Sequence, residues 1–154
     1  SICLLEENRN YPMTKEKIEE FLKNELFIKD IVRLNHGFLE GDDTDSHIDT
    51  LARFVNKDTI VYCKCNDKND IHFEELNKME NELKKTNFNL IPLPLPEPKI
   101  WDNHRLPATY ANFLIINNAV LLPIYEDKND KYVYDMFSEI FPDREIIPIN
   151  ANTL

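Results

Sequence analysis

Thr59-Ile60-Val61-Tyr62, then Asp67-Lys68-Asn69-Asp70, then Phe73, Leu76, Met79 and Leu83 at helical spacing is the stretch that decides the fold, because it occurs twice. The second copy runs Asn118-Ala119-Val120-Leu121, Asp127-Lys128-Asn129-Asp130, then Val133, Phe137 and Ile140 before Pro142. One residue is gained between the strand and the Asp-Lys-Asn-Asp turn. Ahead of each copy, Ala52-Arg53-Phe54-Val55 lines up with Ala111-Asn112-Phe113-Leu114. Behind each helix comes a short apolar strand, Phe88-Asn89-Leu90-Ile91 and Glu145-Ile146-Ile147-Pro148-Ile149. Apolar residues three and four apart form one helical face, and short β-branched runs form strands. Each unit therefore reads strand, turn, strand, helix, strand, with Asp70 and Asp130 expected as helix N-caps.

Outward from the repeat, Thr14 to Leu26 reads as a helix with Ile18, Phe21, Leu22 and Leu26 on one face. Ile2 to Glu6 and Asp30 to Leu34 read as strands, so the N-terminal part looks like the tail of a further unit. The chain divides into 1–40 (end of one repeat), 41–98 (second repeat) and 99–154 (third repeat, truncated at its end). Pro92-Leu93-Pro94-Leu95-Pro96-Glu97-Pro98 carries four prolines in seven residues. This composition predicts an extended, polyproline-like connector rather than a helix or an inner strand. The first residue is Ser1, and Leu154 follows directly on a strand-like segment, so both ends read as cut.

The 154 residues suffice for one domain with a real core. A hydrophobic content of 42% with 30% charged residues is ordinary for a soluble protein. No apolar run approaches the roughly 18 residues of a membrane span, and Ser1-Ile2-Cys3-Leu4-Leu5 is no signal peptide. A formal charge of −10 argues against nucleic acid and mildly favours cationic ligands. Cys3, Cys63 and Cys65 form an odd set, and the last two are too close for an easy disulfide. A reducing cytoplasm is the expected setting. Strand cysteines are more often small buried apolar residues than metal ligands.

The candidate chemistry lies in Glu40-Gly41-Asp42-Asp43-Thr44-Asp45-Ser46-His47-Ile48-Asp49-Thr50. As an extended strand, this segment puts Asp43, Asp45, His47 and Asp49 on one side, with Ile48 and Ala52 on the other. Like charges on one face are costly unless a cation sits against them. His47 and Asp49 would lie about 6.5–7 Å apart at strand rise, enough to grip a small planar group. Three readings stand: a solvated turn, a site for a guanidinium substrate, and a metal held by two adjacent members of Asp-x-Asp-x-His-x-Asp. In a repeat arranged about a centre, the loops before Ile48 and before Phe113 would converge.

Gly41-Asp42-Asp43-Thr44-Asp45-Ser46-His47-Ile48-Asp49, with Leu51-Ala52-Arg53-Phe54-Val55 behind it, resembles the Thr-Asp-Gly-His-Ile-Asp segment of agmatine deiminases and of Porphyromonas-type peptidylarginine deiminases. Cys3-Leu4-Leu5-Glu6-Glu7-Asn8-Arg9-Asn10, Arg105-Leu106-Pro107-Ala108-Thr109-Tyr110-Ala111-Asn112-Phe113 and Phe141-Pro142-Asp143-Arg144-Glu145 resemble further family blocks in the same order. The resemblance implies an α/β propeller (pentein) of repeated strand-strand-helix-strand units, here an incomplete ring. It implies hydrolysis of agmatine to N-carbamoylputrescine and ammonia, a step towards putrescine, through a covalent amidino-cysteine and without metal or organic cofactor. By likeness His47 is the general acid/base, Asp49 binds the guanidinium, and Asp43, Asp45 and Asn112 line the site. Family motifs ahead of Ser1 and a Gly-Gly-x-x-His-Cys nucleophile motif beyond Leu154 are not in this chain, which on this reading is a fragment inactive by itself. Ser46 stands where the family carries glycine. The alternatives are a peptidylarginine deiminase, or a non-catalytic binding module, with homo-oligomers open to either.

Overall fold

The computed structural model describes residue 4 and residues 7–42 and 47–152. The expected strand Ile2–Glu6, and the candidate residues Asp43 and Asp45, fall mainly or wholly outside them. Two short helices open the described part, α1 (Glu7–Asn10) and α2 (Lys15–Leu26). A helical turn, α3 (Ile48–Leu51), leads into β1 (Ala52–Asn56), β2 (Thr59–Lys64), α4 (Phe73–Leu83) and β3 (Asn89–Pro94). The hairpin β4 (Ile100–Trp101) and β5 (His104–Arg105) follows. The second unit is β6 (Leu114–Ile115), β7 (Ala119–Ile124), α5 (Asp130–Ile140) and β8 (Glu145–Asn150).

Both units have one topology. β1–β2 and β6–β7 are antiparallel hairpins, and β2–β3 and β7–β8 are parallel pairs joined by a helical crossover. Parallel neighbours need such a crossover, and the helix then covers one sheet face. Leu76, Met79 and Leu83 of α4 and Val133 and Phe137 of α5 are buried as their spacing predicts, against Val61, Cys63, Leu93, Val120 and Leu122. Among the described residues, no helix is long and apolar enough to cross a membrane.

The repeat is real, but its alignment shifts. Asn89 N–H donates to Asp58 O, and Glu145 N–H donates to Asn118 O, so Asp58 corresponds to Asn118 and Thr59 to Ala119. The extra residue therefore falls before the second strand. Phe54 and Phe113 are not equivalent either. Phe54 lies in β1 opposite Ile60, half-exposed and edge-on to Phe88. Phe113 precedes β6 and is buried against Phe137 and Phe141.

Three other expectations are corrected. Residues 31–39 form no strand; the carboxylate of Glu82 instead accepts from the backbone N–H of Asn35 (2.8 Å) and of His36 (3.3 Å) and holds the segment on α4. On α2 only Ile18 is buried, while Phe21 and Leu26 stay exposed because no described element covers that face. Asp70 and Asp130 are not the N-caps, which are His72 and Asn129. Asp70 accepts from His72 N–H (2.9 Å), and Asp130 from Tyr125 N–H, Asp127 N–H and Tyr110 O–H.

The proline-rich run is partly strand. Pro92 and Pro94 lie in β3, an edge strand, and residues 95–99 form the connector. Asn89 turns its N–H towards β2, so residues two apart, Ile91 and Leu93, do the same, and both prolines face the open edge. Pro148 in β8 follows the same parity. Pro123 sits in the central strand β7 on its β6 side, but β6 pairs only as far as Leu121, so no donor is required there.

Candidate functional site

The segment read as a straight strand is not one. His47 is extended (φ −58°, ψ 137°), and the chain then enters the helical turn α3. Thr50 causes this locally: its N–H (3.3 Å) and its hydroxyl (2.8 Å) both donate to the carbonyl of His47. Asp49 falls in the first helical turn, where a carboxylate is favoured by the exposed N–H groups. From His47 to Leu51 the side chains therefore do not alternate between two faces. Asp49 and Ile48 are exposed, and His47 is half-buried.

The predicted convergence of loops is present. Gly41 (φ +87°) lies so close to the backbone of Arg105 that a Cβ would collide with the Arg105 carbonyl oxygen. Only glycine suits both that conformation and that approach. Asp42 Oδ2 comes within 3.4 Å of the Thr50 oxygen, so residues on either side of 43–46 lie close together.

The second loop, 105–112, is pinned by side chains from both units. Cys63 Sγ lies 2.8 Å from Thr109 Oγ1 and donates to Thr50 O at 3.2 Å. Tyr125 accepts from Thr109 N–H (3.1 Å) and donates to Thr109 O (2.9 Å). Tyr110 donates to Asp130 Oδ1 at 2.6 Å. Arg53 donates to Phe113 O and lies 4.7 Å above the Phe113 ring. These contacts bring Thr50, Thr109 and Asn112 to one cleft of about 310 Å³, walled by Leu106, Pro107, Pro123 and Tyr125 among others. Apolar walls with a few placed polar groups are the usual make-up of a small-molecule pocket. Asn112 is thus in the cleft. His47 and Asp49 precede the cleft residue Thr50 by three and one positions and are not among the described lining residues.

Neither described thiol is poised for attack. Cys63 is fully buried, and burial pushes its thiol up to about 12, only partly offset by Thr109 and the Ala111 backbone. Cys65 is half-buried against the Asp67 carbonyl (3.5 Å), and burial raises it too. A fully buried thiol such as Cys63 is inert, whereas Cys65 is reachable but has its thiolate form disfavoured.

The sequence reading missed a buried polar cluster beside the site. His72 is 2% exposed, with Nδ1 2.6 Å from Asp70 Oδ1 and Nε2 accepting from Glu40 N–H at 2.8 Å. Arg105 bonds Asp70 at 3.2 Å and lies 3.8 Å from the Glu40 carboxylate. The signal available in sequence was the Asp-x-His spacing next to the repeated turn.

Tandem strand-strand-helix-strand units with loops meeting at a cleft define a class, and comparison with solved structures identifies it as that of the guanidino deiminases. A C. jejuni agmatine deiminase with a cysteine-to-serine substitution and substrate bound matches with a TM-score of 0.94 and 50% identity, over 97% of this chain and 45% of that one. The agmatine deiminase of Enterococcus faecalis matches with a TM-score of 0.85 and 25% identity, over 98% and 47%. A curated Legionella pneumophila (strain Paris) protein named "Putative agmatine deiminase" is 30% identical over 156 residues, 97% of this chain and 45% of its own. The family profile described as Porphyromonas-type peptidyl-arginine deiminase matches residues 1–154, and the chain belongs to that family. It spans about 45% of the length of the curated relative.

Proposed function

We propose that this chain is a segment of a guanidino hydrolase whose substrate is agmatine, converted to N-carbamoylputrescine and ammonia in the cytoplasm. The observation that carries this reading is the 50% identity, at a TM-score of 0.94, to a substrate-bound agmatine deiminase. On this reading the two units are parts of an α/β propeller with pseudo-fivefold symmetry. The cleft between their loops is one side of the site.

A guanidinium is planar and multiply donating, so the Asp49 carboxylate pairs with two of its N–H groups. A cysteine thiolate outside these 154 residues attacks the central carbon, consistent with the burial of Cys63 and the raised thiol of Cys65. His47 donates the proton with which one nitrogen leaves as ammonia, and an S-amidino intermediate remains. His47 then takes a proton from water, which adds to the same carbon. The thiolate departs, and the ureido product is released. Asn112, together with Asp43 and Asp45, serves the far end of the substrate.

The test is turnover of agmatine by the whole protein, followed as ammonia release. His47→Ala should lower kcat by about 10²–10⁴-fold, the usual worth of a positioned acid/base. Asp49→Asn should mainly weaken substrate capture. Full activity in His47→Ala would end the assignment. The family's description as peptidyl-arginine deiminases supports a second substrate, arginine within a peptide. Citrulline formation in a peptide without turnover of free agmatine would select it.

A further inference from the structure

We infer that His72 is a positioning residue for the His47–Asp49 turn, acting through the hydrogen bond that its Nε2 accepts from Glu40 N–H; this rests on the deiminase reading above. The 37–42 loop has almost no regular structure to hold it and contains both glycines of the chain, each at positive φ. Leu39 seats it in the core, and the Gly37 N–H is bonded to the Glu75 carboxylate. Glu40 N–H ends on His72 at 2.8 Å, Asp42 N–H closes a turn on Leu39 O at 3.2 Å, and Gly41 is wedged against Arg105. Asp42 Oδ2 lies 3.4 Å from the Thr50 oxygen, which sets the end of the loop beside the turn, where the Thr50 hydroxyl and N–H both donate to the carbonyl of His47.

The tautomer of His72 is fixed by its partners. A backbone N–H can only donate, so Nε2 must be the unprotonated acceptor, and Nδ1 carries the hydrogen towards Asp70. The charged groups facing the ring are Asp70 from the turn before α4, Glu40 from the loop, and Arg105 from β5. Phe38 packs on it at 5.3 Å between ring centres. Burial, then Arg105, holds the imidazole below its ordinary range against the opposing pull of Asp70 and Glu40, so the neutral acceptor form prevails at neutral pH. One buried side chain thus joins the helix of one unit to the loop that leads to the proposed acid/base. Arg105 ties the same cluster to the second loop.

Two variants of the whole protein separate the two bonds. His72→Gln keeps an acceptor at the reach of Nε2, while His72→Asn keeps the partner of Asp70 and loses that acceptor. Amide exchange over residues 37–42 and agmatine kinetics are measured for both, with melting temperatures alongside. In His72→Asn, exchange should rise about tenfold, as the release of a local tether predicts. Its kcat should fall by about ten- to a hundredfold and its KM should rise, because the proposed acid/base His47 and the substrate-binding Asp49 share the turn. His72→Gln should stay near the parent in both. Parental exchange and kcat in a folded His72→Asn variant would overturn the inference, and so would equal losses in both variants. If the parent itself does not turn over agmatine, the deiminase reading fails, and the exchange experiment decides the His72 tether alone.

Discussion

Cys63 and Thr109, 46 residues apart, meet through a 2.8 Å contact between Sγ and Oγ1. The pair joins the central strand of the first unit to the loop that walls the cleft. The same sulfur donates to the carbonyl of Thr50, so one buried thiol touches both sides of the candidate site.

Its chemistry follows from its burial. With burial pushing the thiol up to about 12, Cys63 stays in its unreactive thiol form at pH 8. Iodoacetamide should leave Cys63 of the native protein unmodified while Cys65 reacts, and both should react once the protein is unfolded. Peptide mass mapping reads this directly. Rapid alkylation of native Cys63 with loss of turnover would point to Cys63 itself as the nucleophile.

Gly41→Ala should cost about 1–3 kcal/mol, the usual penalty for a side chain forced into a strained conformation. The obstacle is the Arg105 backbone, which cannot rotate away. At Gly37 (φ +106°) the nearest atom to an added Cβ is Met79 Sδ at 2.8 Å, the flexible end of a side chain. Gly37→Ala should therefore be the milder substitution in denaturant unfolding. The reverse order would argue against the wedge at Arg105.

Glu80 is 5% exposed and accepts from Tyr62 O–H (3.0 Å), Lys64 (3.0 Å) and Lys84 (2.9 Å). Burial raises its carboxyl, but these three donors outweigh it and hold the group below its ordinary value. Glu80→Ala should destabilise by about 1–3 kcal/mol because it strands the Tyr62 hydroxyl. Lys84→Ala, at an exposed partner, should cost under about 1 kcal/mol. A chemical melt of each variant checks the contrast.

Acid should destabilise the protein over two pH ranges. The imidazole of His72 is lowered by burial and by Arg105, so its contribution is complete above the free value near 6.5 and is lost as pH falls towards its lower folded value. Asp70, Glu80 and Glu82 are lowered as well, despite burial, by hydrogen bonds from His72 N–H and Arg105, from Lys84, Lys64 and Tyr62, and from Asn35 and His36. Their contributions persist to the ordinary carboxylate range, about pH 4, and vanish below it. Melting temperature against pH should therefore slope below about 6.5 and fall more steeply below about 4. His72→Gln should remove the first slope and keep the second.

The repeat, the two amphipathic helices and the strands beside them were legible in the sequence because each depends on a local period, while the parallel pairing was not. Leu76, Met79 and Leu83 face one way whatever lies opposite them, and the paired Asp-Lys-Asn-Asp turns mark the same junction twice. His47 and Asp49 were singled out by the row of ionisable residues and Asn112 by motif likeness, and of the three Asn112 lines the cleft. Other features depended on partners distant in the chain. Pro123 is admissible in a central strand only because β6 is short, and Asp70 leaves helix capping because His72 and Arg105 surround it. The turn at Ile48 arises where the Thr50 hydroxyl binds the His47 carbonyl, which a pattern of alternating acids does not reveal. Periodicity carries which face of an element is buried. Which buried polar groups meet across it is decided only when the loops of two units close on each other.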